Sequence, residues 1–418
     1  MTLSHAPTED IENTDTLVVG GGQAGLAISE HLSAKGVAHV VLERGEIAQR
    51  WRSERWDSLV ANGPAWHDRF ASMEFSDVGP DGFASKHSVI RYFEEFATKM
   101  NVPIRCGVDV TLVEPAPDGA GYMARTSQGP IKARNVVAAT GPFQNPAIPP
   151  VVPELAGVTQ MHSTAYRNPG ALTEGAVLVV GAGSSGCQIA EEILASGREV
   201  YLSVGPHDRP PRRYRGRDFV WWLGALGKWQ MRRPAEGAEH VTIAVSGANG
   251  GQTIDFRRLA SNGMTLLGMT DRFSDGILHF ANDLGRNIAR GDANYLSVLD
   301  EADAYITAQG LDMPPEPEAR IIRPDPACLT EPVLQLDLAQ AGVRTIIWAT
   351  GFRQDFDWLK VDAFDDQGTP QHDRGVSVVP GVYFLGLPWL SMRGSSFIWG
   401  VWEDAKYLAD HISISRER

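Results

Sequence analysis

The chain has 418 residues, 43% hydrophobic and 21% charged, the profile of a globular protein of two or three domains with a sizeable core. With 51 acidic against 38 basic side chains its formal net charge is −13, which excludes nucleic acid and anionic membrane surfaces as partners. The three cysteines, Cys106, Cys187 and Cys328, are far apart in sequence. Neither a disulfide framework nor a thiolate zinc site is predicted, and without Cys-x-x-Cys there is no dithiol to relay electrons.

Residues 1–14 are polar and acidic and are predicted to be a disordered tail rather than a signal peptide. No apolar run approaches the ~20 residues needed to span a bilayer, so a cytoplasmic location is expected. The run TLVVGGG at 16–22 then reads as a strand ending in glycines, followed by a helix from Ala24 to Lys35 stopped by Gly36 and a strand HVVLE at 39–43. A helix near 88–100, strands around 104–113 and 121–127, and the run NVVAATG at 135–141 come next. The first pattern then repeats: VLVVGAG at 177–183, a helix from Ser185 to Ser196 stopped by Gly197, and EVYLS at 199–203.

A less regular region, 205–320, holds a basic loop, the segment FVWWL at 219–223, a hairpin turning at Asp275-Gly276 and a helix over 283–309. Prolines 314, 315, 317, 324 and 326 mark a linker before TIIWATG at 345–351 and a closing helix over 396–411. The predicted fold is α/β with two Rossmann-like dinucleotide-binding domains, one inserted into the other. The boundaries are placed at 15–168 and 326–418 for the outer domain and 169–325 for the insertion.

Gly20-x-Gly22-x-x-Gly25 follows a strand and opens a helix. The first glycine permits the turn, the second lets backbone approach a pyrophosphate, and the third allows close helix–strand packing. Glu43 ends the next strand, eighteen residues beyond Gly25, where a carboxylate can accept from both ribose hydroxyls. These features and the N-terminal position predict FAD, with Gln23 and Ala24 at the helix start and Arg44 after the acid. Gly181-x-Gly183-x-x-Gly186 has the same context, with Ser184 and Ser185 opening its helix, but the next strand closes on Ser203 without an acid. That suits a 2′-phosphate, and the following HDRPPRRYRGRD packs Arg209, Arg212, Arg213, Arg215 and Arg217 into nine residues. NADPH is expected there, with Arg212 and Arg213 as phosphate contacts.

Two dinucleotide motifs, with ATG runs at Ala139–Gly141 and Ala349–Gly351, resemble the class B flavoprotein monooxygenases, among them flavin-containing and Baeyer–Villiger monooxygenases. The resemblance covers about residues 15–411. It implies that Thr140, Gly141, Thr350 and Gly351 lie where the chain crosses between the FAD and NADPH domains, and that Trp51 stands beside the flavin. It also implies that Asn62 lies at the flavin C4a position as a catalytic hydrogen-bond donor, although Asn62-Gly63-Pro64 is itself a turn signal.

The family's fingerprint keeps His162 and Tyr166 but has Ala156 and Val158 where Phe and Gly stand, and the histidine reads as a hinge or NADP contact. The resemblance further implies a C-terminal helix whose N-terminus faces the flavin; after Gly386 comes Leu387, where related reductases carry aspartate. Trp221, Trp222, Trp399 and Trp402 are read as core or as tunnel walls.

The implied activity is that of a single-component monooxygenase. It would use NADPH and O2 through a C4a-(hydro)peroxyflavin to oxygenate a small-molecule amine, sulfide or similar nucleophile, and family members often pair as homodimers. Baeyer–Villiger or decarboxylating chemistry on a ketone or 2-oxo acid, an NADPH:flavin reductase and a nucleotide-regulated binding protein are the alternatives.

Overall fold

A computed structural model describes residues 11–233 and 242–416. The strand Glu12–Val19 lies between His39–Glu43 and Gly129–Ala138, parallel to both. Leu17 and Val18 are fully buried, as are Val136 and Val137 beside them. Apolar residues in unbroken succession, rather than alternation, suit strands covered on both faces, which is why this part of the sheet is parallel. Ile104–Cys106 extends one side and Val382–Phe384 the other, each parallel to its neighbour. An antiparallel hairpin, Val110–Pro115 with Tyr122–Thr126, hangs from Gly129–Ala138, and short antiparallel strands after residue 371 complete a nine-stranded sheet.

Two helices remote in sequence cover one face. Gln23–Ala34 and Ile398–Arg416 share a core with the sheet that includes Leu26, Leu32, Val401, Leu408 and Ile412. Burying a leucine or isoleucine completely contributes roughly 1.5–3 kcal/mol each, so the C-terminal helix is integral to the outer domain. The first helix ends one residue earlier than its sequence pattern predicts, with Gly36 at φ +63° turning the chain.

The second sheet has five strands, all parallel, in the order Thr265–Leu267, Val200–Ser203, Ala176–Val180, Val343–Trp348, Thr159–His162. The outermost and next strands correct the predicted boundaries at 168/169 and 325/326: Thr159–His162 and Val343–Trp348 belong to the inserted unit. Its crossings lie instead at Asn145–Pro146 and Phe352–Arg353, which pair antiparallel with each other. The composition shift at the prolines misled the reading, because those residues form a loop and a short 3-10 turn, Pro317–Arg320, inside the insertion.

The hairpin at Asp275-Gly276 forms between Thr270–Ser274 and Ile277–Phe280, with φ +51° and +83° at the two turn residues. Residues 1–10 of the expected tail lie outside the described residues, and the part from Glu12 to Thr14 is strand rather than tail.

Candidate functional site

The first glycine loop has the three-part geometry its spacing predicts. Gly20 sits at φ +113°, and a Cβ there would come within 2.6 Å of Ala139 O. At Gly25 a Cβ would lie 1.9 Å from Gly20 O, so only glycine lets the helix start this close to the strand. Gly22 is different, because a Cβ there would meet nothing within 4 Å. It caps the helix Gln23–Ala34 without any side-chain hydrogen bond, which leaves the helix N-terminus open.

That open side faces a cavity of about 330 Å³ lined by Gly20, Gly22, Gln23, Ala24, Glu43 and Arg44, and farther along by Trp51, Thr140, Gly141, Gly386 and Ser396. The Glu43 carboxylate is fixed by Gly21 N at 2.7 Å and Gly45 N at 2.8 Å, so its remaining lone pairs are held in a set direction. Gln144 donates to Thr140 Oγ1 at 3.0 Å and to Gly141 O at 2.8 Å, which stiffens the crossing. Gly386, at φ +81°, brings the C-terminal segment against Ala24, where a Cβ would approach to 2.9 Å.

The second glycine loop repeats the close packing. A Cβ on Gly181 would lie 2.5 Å from Ala349 O, and one on Gly186 would lie 1.8 Å from Gly181 O. Gly183 caps the helix Ser184–Ala195 without a side-chain hydrogen bond, as Gly22 does in the first loop. Ser184 Oγ donates to Ile243 O at 2.9 Å, so residues from the irregular region lie beside this helix start, with Ser185 next in the helix. On the return crossing, the Thr350 hydroxyl donates to Ala147 O and Gly351 O accepts from His162 Nε2 at 3.0 Å. His162 is buried, which lowers its basicity, and it ties the end of its own strand to the return crossing. Tyr166 is fully buried and donates to Glu192 at 2.8 Å, a packing role.

The arginine cluster corrects the reading of Arg212 as a phosphate contact. Arg212 is 2% exposed, forks onto Asp218 at 2.6 to 2.9 Å, and lies between the rings of Phe83 and Phe219. Its Nη1 donates to Asn62 O at 2.5 Å, so it clamps the Asn62 turn onto the inserted unit. Arg209 pairs with Asp292 and Arg215 with Asp303, while Arg217 lies over Trp221. Arg213 alone of the two predicted contacts is exposed, with one long hydrogen bond to Gly251 O at 3.4 Å. Nearness in sequence concealed these partners because each carboxylate except Asp218 comes from the distant helix Leu284–Gln309.

Asn62 is not part of the lining around the first glycine loop. Its Oδ1 accepts from Gln188 Nε2 at 2.9 Å, across the interface between the two units. Gln188 also donates to Val245 O at 3.0 Å, so it stands in a fixed rotamer. The sequence carries one signal for it, a glutamine on the buried face of the helix that the second glycine loop opens.

Trp222 is fully buried beside Tyr214 and Leu299 and is core, and Trp402 donates to Glu30 at 2.7 Å. Trp399 instead joins an aromatic group with Trp229 and His67, ring centroids 5.3 and 5.4 Å away. His67 Nδ1 bonds to Asp68 at 2.7 Å, while His67 Nε2 and Trp399 Nε1 are buried without partners among the described residues. This pairing was invisible in the sequence, where the two rings stand over 300 residues apart. The cysteines stay separate: Cys187 is buried with its thiol pushed up by desolvation, and Cys106 is exposed. Among the described residues no group of three or more potential ligands could hold a metal ion, and no helix is long and apolar enough to cross a membrane.

Comparisons with known proteins agree with this geometry. The sequence profile of the pyridine nucleotide-disulphide oxidoreductases matches residues 17–223. The chain is 34% identical over 402 residues to a CzcO-like oxidoreductase of Geobacillus kaustophilus, covering 95% of this chain and 98% of that one. It is 30% identical over 211 residues to the rice indole-3-pyruvate monooxygenase YUCCA1, covering 48% of this chain and 51% of that protein.

Among solved structures, a flavin-containing monooxygenase from Stenotrophomonas maltophilia shares the fold, with TM-score 0.66, 19% identity, and coverage of 97% and 100%. OTEMO, solved in complex with FAD and NADP, shares it at TM-score 0.57 and 16% identity, with coverage of 98% and 86%.

Proposed function

The chain belongs to the family of the CzcO-like oxidoreductases, and we propose that it is a single-component flavoprotein monooxygenase using FAD, NADPH and O2. Its substrate is a small organic molecule with a soft nucleophilic centre, an amine nitrogen or a sulfur. The observation that carries this reading is the pair of equivalent glycine turns, each packed on the exit of a crossing strand at Ala139 or Ala349, with an open cavity at the first.

The residues fit FAD. Gly22 leaves space for a pyrophosphate at the bare N-terminus of the helix, where backbone N–H groups and the helix dipole favour an anion. Glu43 presents its free lone pairs to the ribose at the other side of the same turn. Arg44, Trp51, Thr140 and Gly141 continue the wall along which the rest of the cofactor extends. Gly181, Gly183, Ser184, Ser185 and Gly186 form the corresponding cradle for NADPH, and exposed Arg213 is its phosphate contact. When bound, FAD supplies hydride acceptance and oxygen activation, chemistry that no side chain here provides.

The protein's own part is to orient and to shield. Gln188 holds Asn62 Oδ1, and Nδ2, without a partner among the described residues, is left to donate. Asn62 then donates to the reacting oxygen or to the substrate, and as a neutral amide it cannot quench an oxygenated species by giving up a proton. Gln144, which accepts from Asp355 N at 2.8 Å, and the Thr350 hydroxyl on Ala147 O link the two crossings and limit how far they can move apart. The absence of a cysteine pair weighs against a dithiol reductase.

Gly183→Asp tests the assignment of the two loops. The carboxylate would repel a phosphate at the second helix start, so NADPH should no longer reduce a protein that keeps its yellow FAD. Unchanged reduction kinetics would overturn the assignment.

A further inference from the structure

Among the described residues the two buried arginines, Arg209 and Arg212, each face a carboxylate, and half-buried Arg55 does not. Arg209 is held by Asp292 at 2.6 Å, and Arg212 by Asp218 at 2.6 Å. Burying a guanidinium is tolerated when a carboxylate faces it and costs several kcal/mol otherwise. Arg55 forms no ion pair among the described residues. One nitrogen donates to the backbone carbonyl of Glu54 at 3.0 Å, and the rest of the group lies 5.9 Å from the Trp51 ring centre and 5.7 Å from that of Phe143.

The neighbouring carboxylates are already engaged: Glu54 by Arg50 at 2.5 Å, and Asp57 by Lys86 at 2.9 Å and Asn168 at 2.7 Å. Removal from water pushes the Arg55 guanidinium down to about 10, which leaves it charged at neutral pH.

Arg55 lines the cavity that begins at Gly20, Gly22 and Glu43. It also stands beside the crossings. Phe143, on the outgoing crossing, touches Phe352 on the return crossing with centroids 5.2 Å apart, and His162 follows at 5.0 Å from Phe352. The first glycine turn is packed on the exit at Ala139 that leads to Phe143, so Arg55 stands beside the first cradle's crossing. Of its five N–H donors one is used among the described residues, and two aromatic rings flank the group.

We propose that Arg55 is the anion receptor of this cavity and takes a phosphate oxygen of a bound dinucleotide. The inference rests on the two-dinucleotide reading above. Its place in the same cavity as Gly22 and Glu43 favours the FAD pyrophosphate over the phosphates of NADPH.

The test uses apoprotein titrated with FAD and, separately, with riboflavin, which carries the flavin ring but no phosphate, at low and high NaCl. Flavin fluorescence reports binding. Arg55→Gln is expected to weaken FAD binding at least tenfold, to leave riboflavin binding unchanged, and to flatten the salt dependence. Arg55→Lys keeps the charge without the fork and should recover part of the affinity with a steeper salt dependence.

In a second arm the FAD-saturated variants are titrated anaerobically with NADPH. A tenfold loss there with FAD binding intact would support the receptor and assign the anion to NADPH. Unchanged affinity for both dinucleotides would overturn the proposal, as would an equal loss of riboflavin binding. If Arg55→Gln does not fold, Arg55→Lys decides: wild-type affinity and salt dependence for FAD and NADPH alike would also overturn it. None of these results bears on whether the wild-type protein is a monooxygenase, which is read from its oxygen reaction.

Discussion

Gln23 and Ser396 stand 373 residues apart, yet Gln23 Nε2 donates to Ser396 O at 2.8 Å. The bond ties the first turn of the N-terminal glycine helix to the segment that leads into the C-terminal helix, and both residues line the same cavity. The cavity therefore has walls from the two ends of the chain, joined at its rim by this side chain. A neutral hydrogen bond of this kind contributes about 0.5–1.5 kcal/mol, and leaving a buried carbonyl unpaired costs about 1–3.

Gln23→Ala should accordingly lower FAD affinity by roughly tenfold while leaving the far-UV circular dichroism unchanged. Flavin released on dilution measures this. Full FAD retention would show that the C-terminal segment holds its place without the bond.

Asn62 and Gln188 make a paired prediction. Asn62→Leu removes the donor, so NADPH consumption should continue while product falls and hydrogen peroxide rises. Gln188→Leu leaves the donor in place but frees its orientation, and the same uncoupling should appear to a smaller degree. Simultaneous assay of NADPH, peroxide and product on amine and sulfide panels checks both. Equal coupling in Asn62→Leu and wild type would return Asn62 to the status of a turn residue.

The features legible in the sequence were those set by local geometry. Gly20, Gly25, Gly181 and Gly186 are required by contacts with backbone a few residues away or on the adjoining strand, and their spacing encodes that requirement directly. The hairpin at Asp275-Gly276 and the helix stop at Gly36 were readable for the same reason. What failed depended on partners supplied by the fold. Arg212 looks like a phosphate ligand until Asp218 and Asn62 are brought to it. Domain boundaries drawn at a proline-rich stretch missed that Thr159–His162 and Val343–Trp348, on either side of it, complete one sheet. Arg55, Gln188 and the His67–Trp399 contact carry little sequence signal, since their meaning lies in what they face.

Asp404 gives the protein a pH-dependent weak point. It is 2% exposed, accepts from the Ser391 hydroxyl, and has its second oxygen buried without a partner among the described residues. Burial raises its pKa, opposed by hydrogen bonds from Ser391 and Ser395. A carboxyl whose folded pKa lies above the unfolded one contributes stability that is present below the unfolded value and lost as pH rises through the folded value. Relative to Asp404→Asn, the wild type should therefore lose melting temperature as pH rises above about 4, the ordinary aspartate range. Parallel thermal melts between pH 4 and 8 test this, and a constant difference across that interval would contradict it.

A monooxygenase activates oxygen for transfer, whereas a reductase only passes electrons. Stopped-flow spectroscopy separates the two: the enzyme is reduced anaerobically with NADPH, then mixed with oxygenated buffer without substrate. A spectrally distinct species, separate from reduced and oxidised flavin, is expected to persist before the oxidised spectrum returns. Direct return to oxidised flavin with stoichiometric hydrogen peroxide and no such species would contradict it and identify a reductase or oxidase instead.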